Sequence, residues 1–157
     1  MKTLATIGYE NTTVPRFLDA LREAKVELLV DVRAVAASRK PGFAKSRLAE
    51  NVGTLGIGYL HLRGLGTPAD GRAAARAGRF DELREIYHEH LATPEAQDEL
   101  EQLADLVRSG KRVCILCYEA DPAHCHRTLI AEALGKIVPI EVNNLRPLSA
   151  DADFTDE

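Results

Sequence analysis

A chain of 157 residues, 45% hydrophobic and 28% charged, has the size and make-up of one globular domain with a real core. No run approaches the roughly 18 apolar residues of a membrane-spanning helix, and Met1 to Gly8 turns polar too soon for a signal peptide, so no membrane partner is expected. The net charge of −4 is carried by Asp151, Asp153, Asp156 and Glu157, which leaves the rest balanced, and three cysteines argue against a disulfide scaffold and for a reducing cytoplasm.

Residues 2–8 read as a first strand ending at Gly8. Thr12 or Thr13 with Pro15 starts a helix that carries Val14, Phe17, Leu18, Leu21 and Ala24 on one face. Glu27 to Val32 is a near-continuous apolar run, the pattern of a buried parallel strand. Ser46 caps a short helix ending near Gly53 or Gly56, and residues 57–62 form a third strand. Arg63 to Gly78, with glycines at 64, 66 and 71, has the length of a lid or binding loop. Helices are expected over 80–91 and from Thr93-Pro94 to Gly110, then a strand over 112–117, a helix over 126–134 and a short strand over 138–142. This alternation predicts a three-layer α/β/α domain over 1–146, with a mostly parallel sheet of about five strands. Residues 147–157 read as an acidic, disordered tail.

In a parallel sheet the carboxyl ends of all strands share one edge, where ligands bind in open α/β folds. Polar clusters follow four predicted strands: Gly8 to Asn11, Asp31 to Arg33, Tyr59 to Gly66 and Cys117 to Arg127. They should therefore meet in space. Asp31 and Arg33 share a strand face. They read either as a structural ion pair or as an anion-binding arginine oriented by its carboxylate. Cys114 faces the opposite way from Cys117 and reads as a small core residue. Cys117, at a strand end beside a helix start and cationic groups, reads as an activated thiol or, blandly, as an inert loop cysteine. Arg127 in a first helical turn runs against the dipole preference for acids, which an anion held there would explain. Glu119 and His126 suit proton transfer.

Basic side chains are also sorted: five and no acid over 33–47, and four with only Asp70 over 63–79. These segments read as ordinary solvated loops or as anion-binding patches. Tyr9, Phe43 and Tyr59 could stack on bases, although only 5% of residues are aromatic. Cys117, Glu119, Cys125 and His126 have ligand types that suit a metal, but not the short pair spacing of structural zinc sites.

Several ordered motifs resemble the domain of unknown function 488 family. They are Thr6-Ile7-Gly8-Tyr9-Glu10, Leu29-Val30-Asp31-Val32-Arg33, Ser38-Arg39 with Phe43-Ala44-Lys45, Tyr59 followed by Leu65-Gly66, and Cys117-x-Glu119-x-Asp121-Pro122-x-x-Cys125-His126-Arg127. The resemblance runs from Thr6 to Leu134; Thr67-Pro68 departs from the further glycine common in the family. Its function is not established, so the resemblance implies a fold and a residue set, not a reaction. A weaker likeness is to rhodanese-like sulfurtransferases and cysteine phosphatases, through Asp31-x-Arg33 and through Cys117 with Arg127.

The leading expectation is a small cytoplasmic enzyme with a thiol- and arginine-lined anion site for a phosphate-bearing or nucleotide-like substrate. Cys117, Glu119, His126 and Asp31 would be catalytic. Arg33, Arg39, Arg127, Tyr9, Tyr59 and Cys125 would bind substrate. Alternatives are a nucleic-acid-binding module using loops 33–47 and 63–79, and a metal protein using Cys117, Cys125 and His126. No cofactor, substrate or oligomeric state is indicated, and whether the protein is an enzyme stays open.

Overall fold

The computed structural model describes residues 2–149. Five strands alternate with six helices: β1 (Lys2–Gly8), α1 (Val14–Glu23), β2 (Leu28–Asp31), α2 (Lys45–Gly53), β3 (Gly58–His61), α3 (Ala69–Arg76), α4 (Phe80–Leu91), α5 (Pro94–Arg108), β4 (Val113–Cys117), α6 (Arg127–Gly135) and β5 (Ile140–Asn144). The strands form one sheet in the order β3-β2-β4-β1-β5, with every neighbouring pair parallel.

Alternation along the central strands separates two apolar clusters, one on each sheet face. Val30, Val113 and Ile115 pack against Leu100, Leu103 and Val107 of α5 and Leu129, Ile130 and Leu134 of α6. Leu29, Cys114 and Leu116 pack on the other face against Phe17 and Leu21 of α1 and Leu48 and Val52 of α2. The domain is thus the expected α/β fold, with helices on both sides. Cys114 is fully buried and takes the core role expected of it.

The cap-then-proline signals hold: Thr13 accepts from the Arg16 N–H, and Thr93 from the Ala96 N–H. The 63–78 segment is a correction. It holds a 3-10 turn (Arg63–Leu65) and the helix α3, where a lid or loop was expected. Gly71 weakens the local helical signal, but close packing supplies what propensity lacks: a methyl there would overlap Thr67 Cγ2 at 2.5 Å and press on Ile86 of α4 at 3.3 Å. Tyr87 of α4 donates to the Leu65 carbonyl at 2.7 Å and His90 to the Gly64 carbonyl at 2.7 Å, which ties the 3-10 turn to α4.

The final strand starts two residues later than expected, at Ile140. At the start of the expected tail, Thr12 Oγ1 donates to the Leu148 carbonyl and Thr12 pairs with Ser149. The rest, 150–157, lies outside the described residues. No helix among the described residues is long and apolar enough to cross a membrane.

Candidate functional site

β2, β4 and β1 are adjacent, so their carboxyl ends place Arg33, Cys117 and Tyr9-Glu10 along one rim. Cys117 ends β4 opposite Gly8 of β1. The following loop leaves through a 3-10 turn at Pro122–His124, capped by Asp121, and returns to Cys125 just before α6. Glu10 pins this loop to β1: its backbone N–H donates to the Tyr118 carbonyl, and its carboxylate accepts from the Ala120 N–H at 3.0 Å.

The return brings Cys125 onto Cys117, and the two are joined in a disulfide. Sequence reasoning expected a free Cys117 thiol. Only the reduced form of this pair offers a nucleophile. Eight positions separate the cysteines, and nothing in that spacing signals closure without the shape of the turn between them.

Arg127 is the largest fully buried side chain. Its Nη1 donates to the Glu119 carbonyl at 3.0 Å and lies 3.6 Å from Cys117 Sγ, and Nη2 donates to the Ala120 carbonyl at 3.0 Å. Nε has no hydrogen-bond partner, and no carboxylate of the described residues lies within ion-pair distance. Burial pushes this guanidinium down to about 10; Arg146 adds to the shift, and Glu119 and Asp121 oppose it. At neutral pH it is a cation in a low-dielectric site with no carboxylate in ion-pair contact, an arrangement that costs several kcal/mol in general.

His126 Nε2 lies 2.8 Å from the Val32 carbonyl. A carbonyl only accepts, so Nε2 carries the proton and Nδ1 presents a lone pair. Nδ1 is 3.6 Å from Cys125 Sγ, which also accepts from the Arg127 backbone N–H at 3.5 Å. Burial pushes the imidazole down to about 4, so it is neutral at pH 7. Glu119 lines the cavity, and burial raises its carboxyl above the usual carboxylate range.

Asp31 and Arg33 form a buried bidentate pair. Arg33 Nε donates to Oδ1 at 2.8 Å and Nη2 to Oδ2 at 2.7 Å. The Arg33 backbone N–H and the Tyr59 hydroxyl take the two remaining acceptor directions of Asp31. Arg33 Nη1 goes to the Phe43 carbonyl and the Tyr9 hydroxyl. Burial alone would lower the Arg33 pKa, but the bonds and charge of Asp31 outweigh it and the net shift is upward. Burial first, then the bond to Asp31, pushes Tyr59 upward. Asp31 is therefore saturated and holds Arg33 in place.

A cavity of about 640 Å³ opens over this rim, lined by Arg33, Cys117, Glu119 and His126. Its aromatic wall has Tyr9, the exposed Tyr118, and Phe80 stacked on His124 at 4.3 Å between ring centroids. Arg72 and Arg76 of α3 line it too. Sequence reasoning gave these two no individual role, although the basic run over 63–79 marked the segment. Asp31, Tyr59, Cys125 and Arg127 stand behind the lining, and exposed Arg39 is outside it.

For a metal, one ligand atom from each of Cys117, Glu119 and Cys125 lies within 4.8 Å of the others. Glu119, a candidate from the sequence, belongs to this set and His126 does not, although His126 Nδ1 lies 3.6 Å from Cys125 Sγ. Such a set becomes a donor set only when the sulfurs are reduced.

A family model described as "Domain of unknown function DUF488" matches residues 13–134. No curated protein and no solved structure matches the chain. The match runs from just before α1 to Leu134 in α6 and includes every cavity-lining residue except Tyr9 and Glu10. The chain belongs to the DUF488 family.

Proposed function

We infer that the protein is a small thiol-dependent enzyme that acts on a phosphate-bearing or nucleotide-like substrate in the 640 Å³ cavity. One observation carries this reading: the buried, unneutralised Arg127 guanidinium beside Cys117 Sγ. A cation so placed favours the thiolate, and comparable surroundings lower cysteine pKa values to roughly 3.5–7.5. The volume falls within the roughly 300–1,000 Å³ of small-molecule sites.

In the reduced protein the Cys117 thiolate attacks the electrophilic atom of the substrate. A bond from sulfur to that atom forms, the bond to the leaving group breaks, and Glu119 gives its proton to the leaving group. Water then attacks the covalent intermediate and yields its proton to Glu119, which frees the thiolate. Arg72 and Arg76 neutralise the substrate's charge from the far wall. Such an enzyme works in a reducing compartment such as the cytoplasm, where the cysteine pair is held as thiols.

Ultraviolet titration of the thiolate tests the reading. The reduced Cys125→Ser variant leaves Cys117 and Cys114, and burial raises Cys114 far out of the titration range. Cys117 is expected to ionise at least one pH unit below the free-cysteine value of about 8.5, and Arg127→Met is expected to return it towards that value. An ordinary pKa in the Cys125→Ser protein removes the nucleophile from the argument.

The Cys117, Glu119 and Cys125 cluster supports a second reading, a thiolate metal site with an open position towards the cavity. Elemental analysis of protein purified under reduction, with Cys125→Ala as control, tests it. A stoichiometric metal lost in the variant supports this reading, and no metal in either protein ends it.

A further inference from the structure

A shallow, open depression lies beside the first cavity, and Ala34 and Val35 line both. Its other walls carry Lys45, Arg47, His61 and Arg63, with small alanines between and no acidic residue. The overall charge is balanced once the last seven residues are set aside, so this is a local concentration. Lys45 and Arg47 lie in the first turn of α2, which holds no acid. That order opposes the helix dipole, and a bound anion relieves it. Arg47 meets Glu50 only at 3.8 Å, with both side chains exposed.

The main cavity alone accommodates a mononucleotide. A cationic trough that continues from it is unexplained by so small a ligand. We propose that the cavity and the depression are one groove for a single-stranded nucleic acid. One nucleotide enters the main cavity, and the phosphates of its neighbours lie against Lys45, Arg47 and Arg63. This deepens the thiol-enzyme reading and rests on it for what happens to the bound nucleotide, but not for binding. Tyr118 and the Phe80–His124 pair offer ring faces to a base. Shared backbone charge supplies the affinity.

The test is fluorescence anisotropy of the full chain with a labelled single-stranded oligothymidylate of about 12 nucleotides, within the site sizes of such proteins. Thymidine monophosphate is the competitor, and phosphatidylserine vesicles and polyglutamate are the control polyanions. Lys45→Gln, Arg47→Gln and Arg63→Gln are combined in one variant; all three residues are exposed, so the fold is retained. The oligonucleotide is expected to bind at least tenfold tighter than the mononucleotide. Its log affinity should fall with log salt at a slope steeper than about −2, the share that three phosphate contacts on a single strand give, with Arg72 and Arg76 adding to it. The triple variant is expected to lose tenfold or more in affinity and about two units of that slope, with its Cys117 titration unchanged. Unaltered binding by the variant, a mononucleotide as tight as the oligonucleotide, or equal binding of the control polyanions overturns the proposal. An ordinary Cys117 pKa alongside the expected binding sinks the thiol chemistry and leaves the groove standing.

Discussion

Gly8 and Arg127 share a space with no room for one more carbon. A methyl group on Gly8 would stand 2.6 Å from Arg127 Nη1 and would overlap the Glu119 carbonyl oxygen. The bare backbone at the end of β1 thus lets the β4–α6 loop close over the guanidinium. Gly8→Ala is expected to destabilise the fold by about 1–3 kcal/mol, the usual cost of overpacking. It should also raise the Cys117 pKa in the reduced protein. Urea unfolding and thiolate absorbance check the two effects. Native stability together with an unchanged titration is the result that contradicts the packing argument.

His126 makes stability depend on pH. Its folded pKa, about 4, lies below the ordinary 6.5 because it is buried. The unfolded chain therefore takes up a proton at pH values where the folded protein does not. This contribution is fully present above pH 6.5, falls as pH drops, and levels off below about 4. The loss across that window is on the order of 3 kcal/mol. Urea titrations of the wild type at pH 7, 5.5 and 4.5 should show the decline, and His126→Gln should flatten it. Parallel pH profiles for the two proteins refute this assignment.

Asp31 and Arg33 should behave as one unit. Removing the carboxylate leaves a cation with only 6% exposure unpaired. Asp31→Asn is expected to cost about 3–5 kcal/mol. Asp31→Leu combined with Arg33→Met should cost clearly less than the sum of the two single changes, because neither charge is then stranded. Additive losses in a double-mutant cycle would show that the two do not depend on each other.

Much of this was legible in the chain. The apolar runs at 27–32 and 112–117 announced buried parallel strands, and once the strands are parallel their polar ends must meet. The α3 helix was not legible, since Gly71 hides it and packing against α4 stabilises it. The union of Cys117 with Cys125 depends on how the 3-10 turn at Pro122–His124 redirects the backbone, which no residue spacing encodes. The role of Asp31 was also hidden, because its four acceptor positions are filled from Arg33 and from Tyr59, 28 residues further on. Arg39 carries the same charge as Arg33 but sits on an exposed loop, and the strand spacing of Asp31 and Arg33 already set Arg33 ahead of it.

Uniform strand direction also has a practical side. The turns that enter the strands, among them those at Gly56 and Gly110, sit at the end of the molecule opposite every group discussed above. Both glycines have positive φ, +74° and +88°, and Gly56 faces open space. A fluorophore or affinity handle spliced in after Gly56, with that glycine kept, can report on ligand capture from the silent pole without disturbing it.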